Sequence, residues 1–223
     1  MVKITKLKSL SGLIGYQLMK LTAHYKSRGE LHQYWMNPRD GSNLPSNYLQ
    51  PAGGERRSSF LCELIDSYTI NKDNTILEIG CNVGRNLNYL FNAGYKKLSG
   101  VEISQDAIDM MKQVYPEMFN KSNICCSSIE DIIKNFEDNT FTVVFTMAAL
   151  QHIHPTAKFI FYEMVRITSK YIITIGDEKE ISWRHYPRNY KKIFESLGMK
   201  QIYQINCKTE GLNSNFWARV FVK

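Results

Sequence analysis

The chain has 223 residues, 43% of them hydrophobic and 22% charged, close to the globular average and long enough to enclose one sizeable core. That balance excludes a disordered or fibrous chain, and no run reaches the roughly 18–20 consecutive apolar residues of a membrane-spanning helix. The net charge of +7 is concentrated: residues 1–60 hold nine Lys or Arg against three acids, and the remaining 163 hold 19 against 18.

In chain order, Lys3, Lys6 and Lys8 precede Leu10, Leu13, Ile14, Leu18 and Leu21, which fall at helical spacing. Ser11, Gly12, Gly15 and Gln17 make this stretch too polar for the apolar region of a signal peptide. A basic amphipathic helix is expected, capping the fold or touching a partner or the surface of an anionic membrane. A plain solvated face explains the same charge. Residues 37–54 are dense in Asn, Pro, Gly, Asp and Ser and read as a loop; with Tyr34 and Trp35 they are candidates for a lid. Residues 1–55 are thus expected to form a basic extension, and residues 56–223 the main domain.

From there strands and helices alternate. Helical patterning covers Arg56 to Tyr68, Arg85 to Ala93, Gln105 to Tyr115, Ile129 to Phe136, Thr156 to Ile167 and Asn189 to Leu197. Strands are expected at Thr75–Ile79, Leu98–Ile103, Asn123–Cys126, Phe141–Thr146, Tyr171–Ile175, Lys200–Asn206 and Phe216–Val222. Only the turn-rich Lys208–Ser214 separates the last two, which predicts a hairpin. The fold class is α/β: a doubly wound, mostly parallel, seven-stranded Rossmann-like sheet with an antiparallel edge hairpin. Such a sheet binds ligands outside the carboxyl ends of its strands. Cys62, Cys81, Cys125, Cys126 and Cys207 are odd in number and lack a Cys-x-x-Cys spacing. A reduced, cytoplasmic compartment and no metal site are expected.

The strongest local signal is Ile76-Leu-Glu-Ile-Gly-Cys-Asn-Val-Gly-Arg-Asn86, a strand entering a glycine turn and then a helix. Gly80 and Gly84 permit a sharp turn and close backbone approach, and Asn82 tolerates positive φ. The glycine spacing is neither that of a dinucleotide fingerprint nor that of a P-loop, and Glu78 would repel pyrophosphate. A second acid, Glu102, ends the next strand in Gly100-Val-Glu-Ile-Ser104, where a carboxylate can grip ribose hydroxyls.

These two segments resemble the first two motifs of class I S-adenosylmethionine-dependent methyltransferases. The likeness continues through Ser127-Ser-Ile-Glu-Asp-Ile132 and Phe141-Thr-Val-Val-Phe-Thr-Met-Ala-Ala-Leu-Gln-His-Ile153. The resemblance implies S-adenosylmethionine as cofactor and S-adenosylhomocysteine as product. It implies that Glu78, Gly80, Cys81 and Gly84 line the amino-acid end of the cofactor, with Asn82 and Asn86 close by. Glu102 would bind the ribose, Ile103 would pack on adenine, Ser128 and Ile129 would sit at the adenine edge, and Met147 would face the methionine moiety. Many members carry an acid where Ser128 stands, which shifts adenine readout toward the Ile129 N–H and Glu130. Many also carry Asp where Thr142 stands.

His152 and His154 at the mouth of the site are candidate catalytic bases, although histidines here also cap or pack the following helix. Arg184, Tyr186 and Arg188 are candidates for binding an anionic acceptor, or for packing on the sheet; Arg57 is a candidate for the cofactor carboxylate. The expected activity is methyl transfer to a small-molecule or glycan-linked acceptor, favouring oxygen because no Asn/Asp-Pro-Pro-Tyr-like motif follows the fourth strand. The alternatives are an RNA methyltransferase using the basic arm and a cofactor-binding protein without catalysis.

Overall fold

The structure, a computed structural model, describes residues 26–39, 41–49, 54–69 and 71–223; the helix expected around Leu10–Leu21 lies outside them. Helix α1 (Arg28–Met36) begins at a capping box in which the Ser27 side chain accepts from the Glu30 N–H and Glu30 accepts from the Ser27 N–H. The segment expected to be loop holds two 3-10 turns, Gly41–Asn43 and Pro45–Tyr48. Helix α2 (Gly54–Tyr68) then leads into the sheet.

The strands are β1 (Thr75–Ile79), β2 (Lys97–Glu102), β3 (Asn123–Cys126), β4 (Phe141–Met147), β5 (Thr168–Asp177), β6 (Lys200–Asn206) and β7 (Phe216–Val222). They lie in the order β3-β2-β1-β4-β5-β7-β6. β1 to β5 pair in parallel, and β7 pairs antiparallel with both β5 and β6. The order reverses beside β1, which has β2 on one side and β4 on the other, and the crevice for a ligand opens there.

Helices cover both faces, because the strand residues alternate between two cores. Ile76 joins Phe60, Leu61, Leu64 and Ile65 of α2 and Leu87 and Leu90 of α3 (Arg85–Asn92). Leu77 and Ile79 join Ile160, Phe161, Met164 and Ile167 of α7 on the other face. Glu78 therefore shares the face of Ile76, at the open end of the strand. The remaining helices are α4 (Gln105–Val114), α5 (Pro116–Lys121), α6 (Ile129–Ile132), α7 (Phe159–Ile167) and α8 (Tyr190–Ser196).

Several boundaries differ from expectation for local reasons. Pro116 sits in the first turn of α5 rather than simply ending α4, since a proline fits where the N–H has no helical acceptor. The helix expected from Thr156 begins at Phe159, because Pro155–Ala157 forms a 3-10 turn capped by His154. β5 is longer than its apolar run, starting at Thr168 opposite Phe141 of β4 and running along β7 from Tyr171 to Asp177.

Candidate active site

β1 runs into a loop whose backbone is left-handed at Gly80 (φ +74°), Asn82 (φ +46°) and Gly84 (φ +73°). The Gly80 and Cys81 N–H groups both donate to the Val101 carbonyl oxygen, at 2.9 and 3.1 Å, which ties the loop to β2. A Cβ on Gly80 would lie 2.5 Å from that of Ala149. Glycine thus lets the turn after β4 pack against the turn after β1. Ala148 in that second turn has φ +60°, a conformation costly for a residue with a side chain and typical of ligand sites.

These turns border a cavity of about 410 Å³, within the size range of cofactor pockets. Its walls bring together Glu78, Gly80, Cys81, Asn82, Asn86, Glu102, Ile103, Ser128, Ile129 and Met147 from the sheet side, and Arg57 at the end of α2 near residue 54. Gly84 does not line it; it opens α3 as the left-handed N-cap, and a Cβ there would meet Met111 at 2.7 Å.

The two acids differ in their surroundings. Glu78 is buried, and its Oε1 accepts from Asn86 Nδ2 at 2.7 Å, while Oε2 has no partner. Burial pushes its pKa up to about 8, opposed by the Asn86 hydrogen bond and the Arg85 charge. Glu102 is also buried, but its Oε2 accepts from the Asn82 N–H at 2.8 Å and its Oε1 from the Ile103 and Ser104 N–H groups at 2.8 and 2.9 Å. Burial raises its pKa and these three donors oppose the rise. They also fix the orientation of the carboxylate and leave Oε2 a free lone pair. Burial drives the Cys81 thiol well above its ordinary pKa, so it is a neutral wall of the cavity.

Ser128 caps α6: its Oγ accepts from the Asp131 N–H and donates to Asp131 Oδ2 at 2.6 Å. Ile129, the first residue of that helix, has an N–H with no intrahelical acceptor, the donor expected at the adenine edge. Arg57 donates through Nε to the Gly211 carbonyl at 2.6 Å and so anchors the β6–β7 loop, whose Leu212 reaches the cavity.

His152 lines the cavity with Nδ1 2.9 Å from the Arg184 carbonyl oxygen, its ring packed on Trp35 and His185. Burial lowers its pKa to about 3, with the His185 charge adding to the effect and the Arg184 carbonyl opposing it. His154 also lines the cavity, but its Nδ1 accepts from the Thr156 N–H at 3.2 Å. It caps the turn before α7, and burial lowers its pKa as well.

Arg184, Tyr186 and Arg188 lie off the cavity wall. Arg184 packs on Tyr34 and Trp183 and donates through Nη1 to the Tyr34 hydroxyl at 3.2 Å. Tyr186 is buried, with its hydroxyl 3.4 Å from the Lys26 carbonyl oxygen. Arg188 donates to the carbonyls of Leu150, Tyr186 and Ile153. These side chains brace the loops around the site. Tyr48, Asn43 and Arg85 do line it and were not singled out from the sequence. Arg85 had one signal, its place directly after Gly84 at the start of a helix.

A family model described as a methyltransferase domain matches residues 77–171, from β1 into β5. No curated relative matches the sequence. Among solved structures, magnesium protoporphyrin IX methyltransferase from Synechocystis PCC 6803 with bound SAH is similar at 14% identity and a TM-score of 0.67, over 88% of this chain and 100% of that one. The PH0226 protein from Pyrococcus horikoshii is similar at 16% identity and a TM-score of 0.63, over 80% and 95%. The putative methyltransferase in complex with the Trm112 activator from Haloferax volcanii is similar at 12% identity and a TM-score of 0.63, over 83% and 99%. These similarities establish the fold, and the family match spans the strands that build the cavity. Among the described residues no group of His, Cys, Asp and Glu is placed to hold a metal, and no helix is long and apolar enough to cross a membrane. Residues 77–171 thus match a methyltransferase domain, within a fold shared with solved methyltransferase structures.

Proposed function

We propose that this methyltransferase acts on a hydroxyl group of a small-molecule or glycan-linked acceptor, with residues up to 55 forming a cap over the site. The observation that carries the reading is His152. Its Nδ1 must be the protonated nitrogen to bond the Arg184 carbonyl, which leaves Nε2 as a lone pair on a residue of the cavity wall.

The residues fit the cofactor. The unpartnered Oε2 of Glu78 suits an ammonium group at its amino-acid end, Glu102 suits the ribose hydroxyls, and the Ile129 N–H suits the adenine edge. When bound, S-adenosylmethionine supplies an electrophilic methyl group on a sulfonium. His152 Nε2 accepts the hydrogen bond of the acceptor hydroxyl and aims its oxygen, while Trp35 and Leu31 exclude water from the same wall. An imidazole whose pKa is about 3 holds a proton weakly, so His152 serves orientation more than deprotonation. Alignment of this kind contributes up to about 7–11 kcal/mol to barrier lowering in favourable cases. Arg184 packs on aromatic rings and Arg188 donates to backbone carbonyls, both off the cavity wall, so they lend no support to an anionic acceptor.

The test is calorimetric titration with S-adenosylmethionine, S-adenosylhomocysteine and NAD, followed by a screen of hydroxylated metabolites and sugars for methylated product. Saturable binding of both adenosyl ligands and an O-methylated product are expected. Methylation confined to amines, or confined to RNA with a steep loss at higher salt, would replace this reading.

A further inference from the structure

A continuous run of hydrogen bonds crosses from one wall of the cavity to the other through residues 41–49. Asn86 donates to Glu78 Oε1, and its Oδ1 accepts from Ser58 Oγ at 2.8 Å. Ser58 Oγ accepts from Arg85 Nε at 2.9 Å, and Arg85 Nη1 donates to the Tyr48 carbonyl oxygen at 2.7 Å. The Tyr48 hydroxyl lies 3.2 Å from the side-chain amide of Asn43, which in either orientation also bonds the Tyr34 hydroxyl at 2.6 Å. Tyr34 accepts from Arg184 Nη1, and the Arg184 carbonyl holds His152.

We propose that Arg85 is a positioning residue that bridges the Glu78 wall to residues 41–49, so that filling the cofactor side of the cavity also fixes the Tyr34–Arg184–His152 wall. The inference rests on the proposed function for what the second wall does, but not for the bridge itself. Arg85 is suited to it on three counts. It is the first residue of α3, directly after the left-handed Gly84, so the glycine loop sets its backbone. Its planar guanidinium holds two donors in a fixed fork, which a lysine ammonium on a flexible stem does not reproduce. Its two partners belong to separate pieces of chain, α2 and the 45–48 turn. Since Asn43, Asn47 and Tyr48 all line the cavity, coupling through them is reciprocal: whatever tightens the segment favours the ligand, and the ligand tightens the segment.

Hydrogen exchange read by mass spectrometry, with and without S-adenosylhomocysteine, tests this on the full chain. Without ligand, Arg85→Ala is expected to speed exchange in residues 41–49 by about tenfold or more while β1 and β4 stay protected. At ligand concentrations that saturate each protein, wild-type residues 41–49 slow and those of Arg85→Ala do not. Arg85→Lys keeps the charge near Glu78 and is expected not to restore the ligand-linked protection. If Arg85→Ala does not fold, Ser58→Ala removes one arm of the fork and is expected to speed exchange in the same segment. Unchanged ligand-free exchange, or full rescue by lysine, overturns the bridge. No binding by the wild type overturns the cofactor assignment instead, and the ligand-free comparison still decides the bridge.

Discussion

His152 presents Nδ1 to the carbonyl oxygen of Arg184 at 2.9 Å, whereas His154, two residues on, uses Nδ1 to accept the Thr156 N–H. The two rings therefore carry their protons on opposite nitrogens. His152 is left with a lone pair at Nε2 and His154 with an N–H there. Only the first can accept a hydrogen bond from an acceptor while neutral, and this separates two residues that the sequence presents as equivalent.

His152→Asn is expected to lower turnover by about 10²-fold through misalignment of the acceptor while leaving S-adenosylhomocysteine affinity nearly unchanged. Stability supplies a second readout. The folded pKa is depressed to about 3 from an ordinary 6.5, so between those values the unfolded chain binds the extra proton. The contribution of the neutral ring is full above about pH 6.5 and is lost as pH falls toward 3. Urea unfolding of wild type and variant at a series of pH values should show a shallower decline in the variant.

Glu78 makes the opposite prediction. With its folded pKa raised to about 8, it is mostly protonated at pH 7 in the free protein. Its contribution to stability is full below about pH 4.5 and is lost as pH rises through 8. Pairing with a ligand ammonium favours the carboxylate, so binding near pH 7 should release close to one proton. Calorimetry in buffers of different ionisation enthalpy reads that proton directly, and Glu78→Gln should abolish the release.

Glu102→Ala strands the N–H groups of Asn82, Ile103 and Ser104 without their acceptor. A cost of about 1–3 kcal/mol for each unsatisfied group is expected, together with loss of S-adenosylhomocysteine binding. Thermal melts beside calorimetry separate the two effects, since the variant must still melt cooperatively for a lost binding signal to count.

Gly80→Ala places a Cβ 2.5 Å from that of Ala149 at φ +74°. The expected destabilisation is about 1–3 kcal/mol, visible as a lower urea midpoint. Adding Ala149→Gly should recover only part of it, because the contact is relieved and the left-handed strain stays.

The strands at Thr75–Ile79, Asn123–Cys126, Lys200–Asn206 and Phe216–Val222 were readable in the sequence, because short apolar or alternating runs lie there between helices and turn-rich segments. So was the loop from Glu78 to Gly84, which is one local stretch of chain. What was not readable is where long polar side chains end. Arg184 and Arg188 look like anion ligands in sequence, yet their acceptors are a hydroxyl and backbone carbonyls from distant residues, which no residue spelling records. Arg57 likewise answers to Gly211, far along the chain. Tyr48 and Asn43 sit in a stretch that composition marks only as loop, and their place on the cavity comes from packing against the sheet side.

The strand order carries one more consequence, concerning the course of folding. β7 lies between β5 and β6, so neither of those can complete its ladder until residues 216–222 have been made. During synthesis the growing chain holds β5 with an open edge, and β6 has no neighbour. The segment that closes the sheet follows the sheet's six other strands in the chain, and Lys223 just after it ties back to Lys170, Thr168 and Asn139. Nascent chains stalled before residue 216 should be held open and prone to association, and closure should come as a late, long-range event.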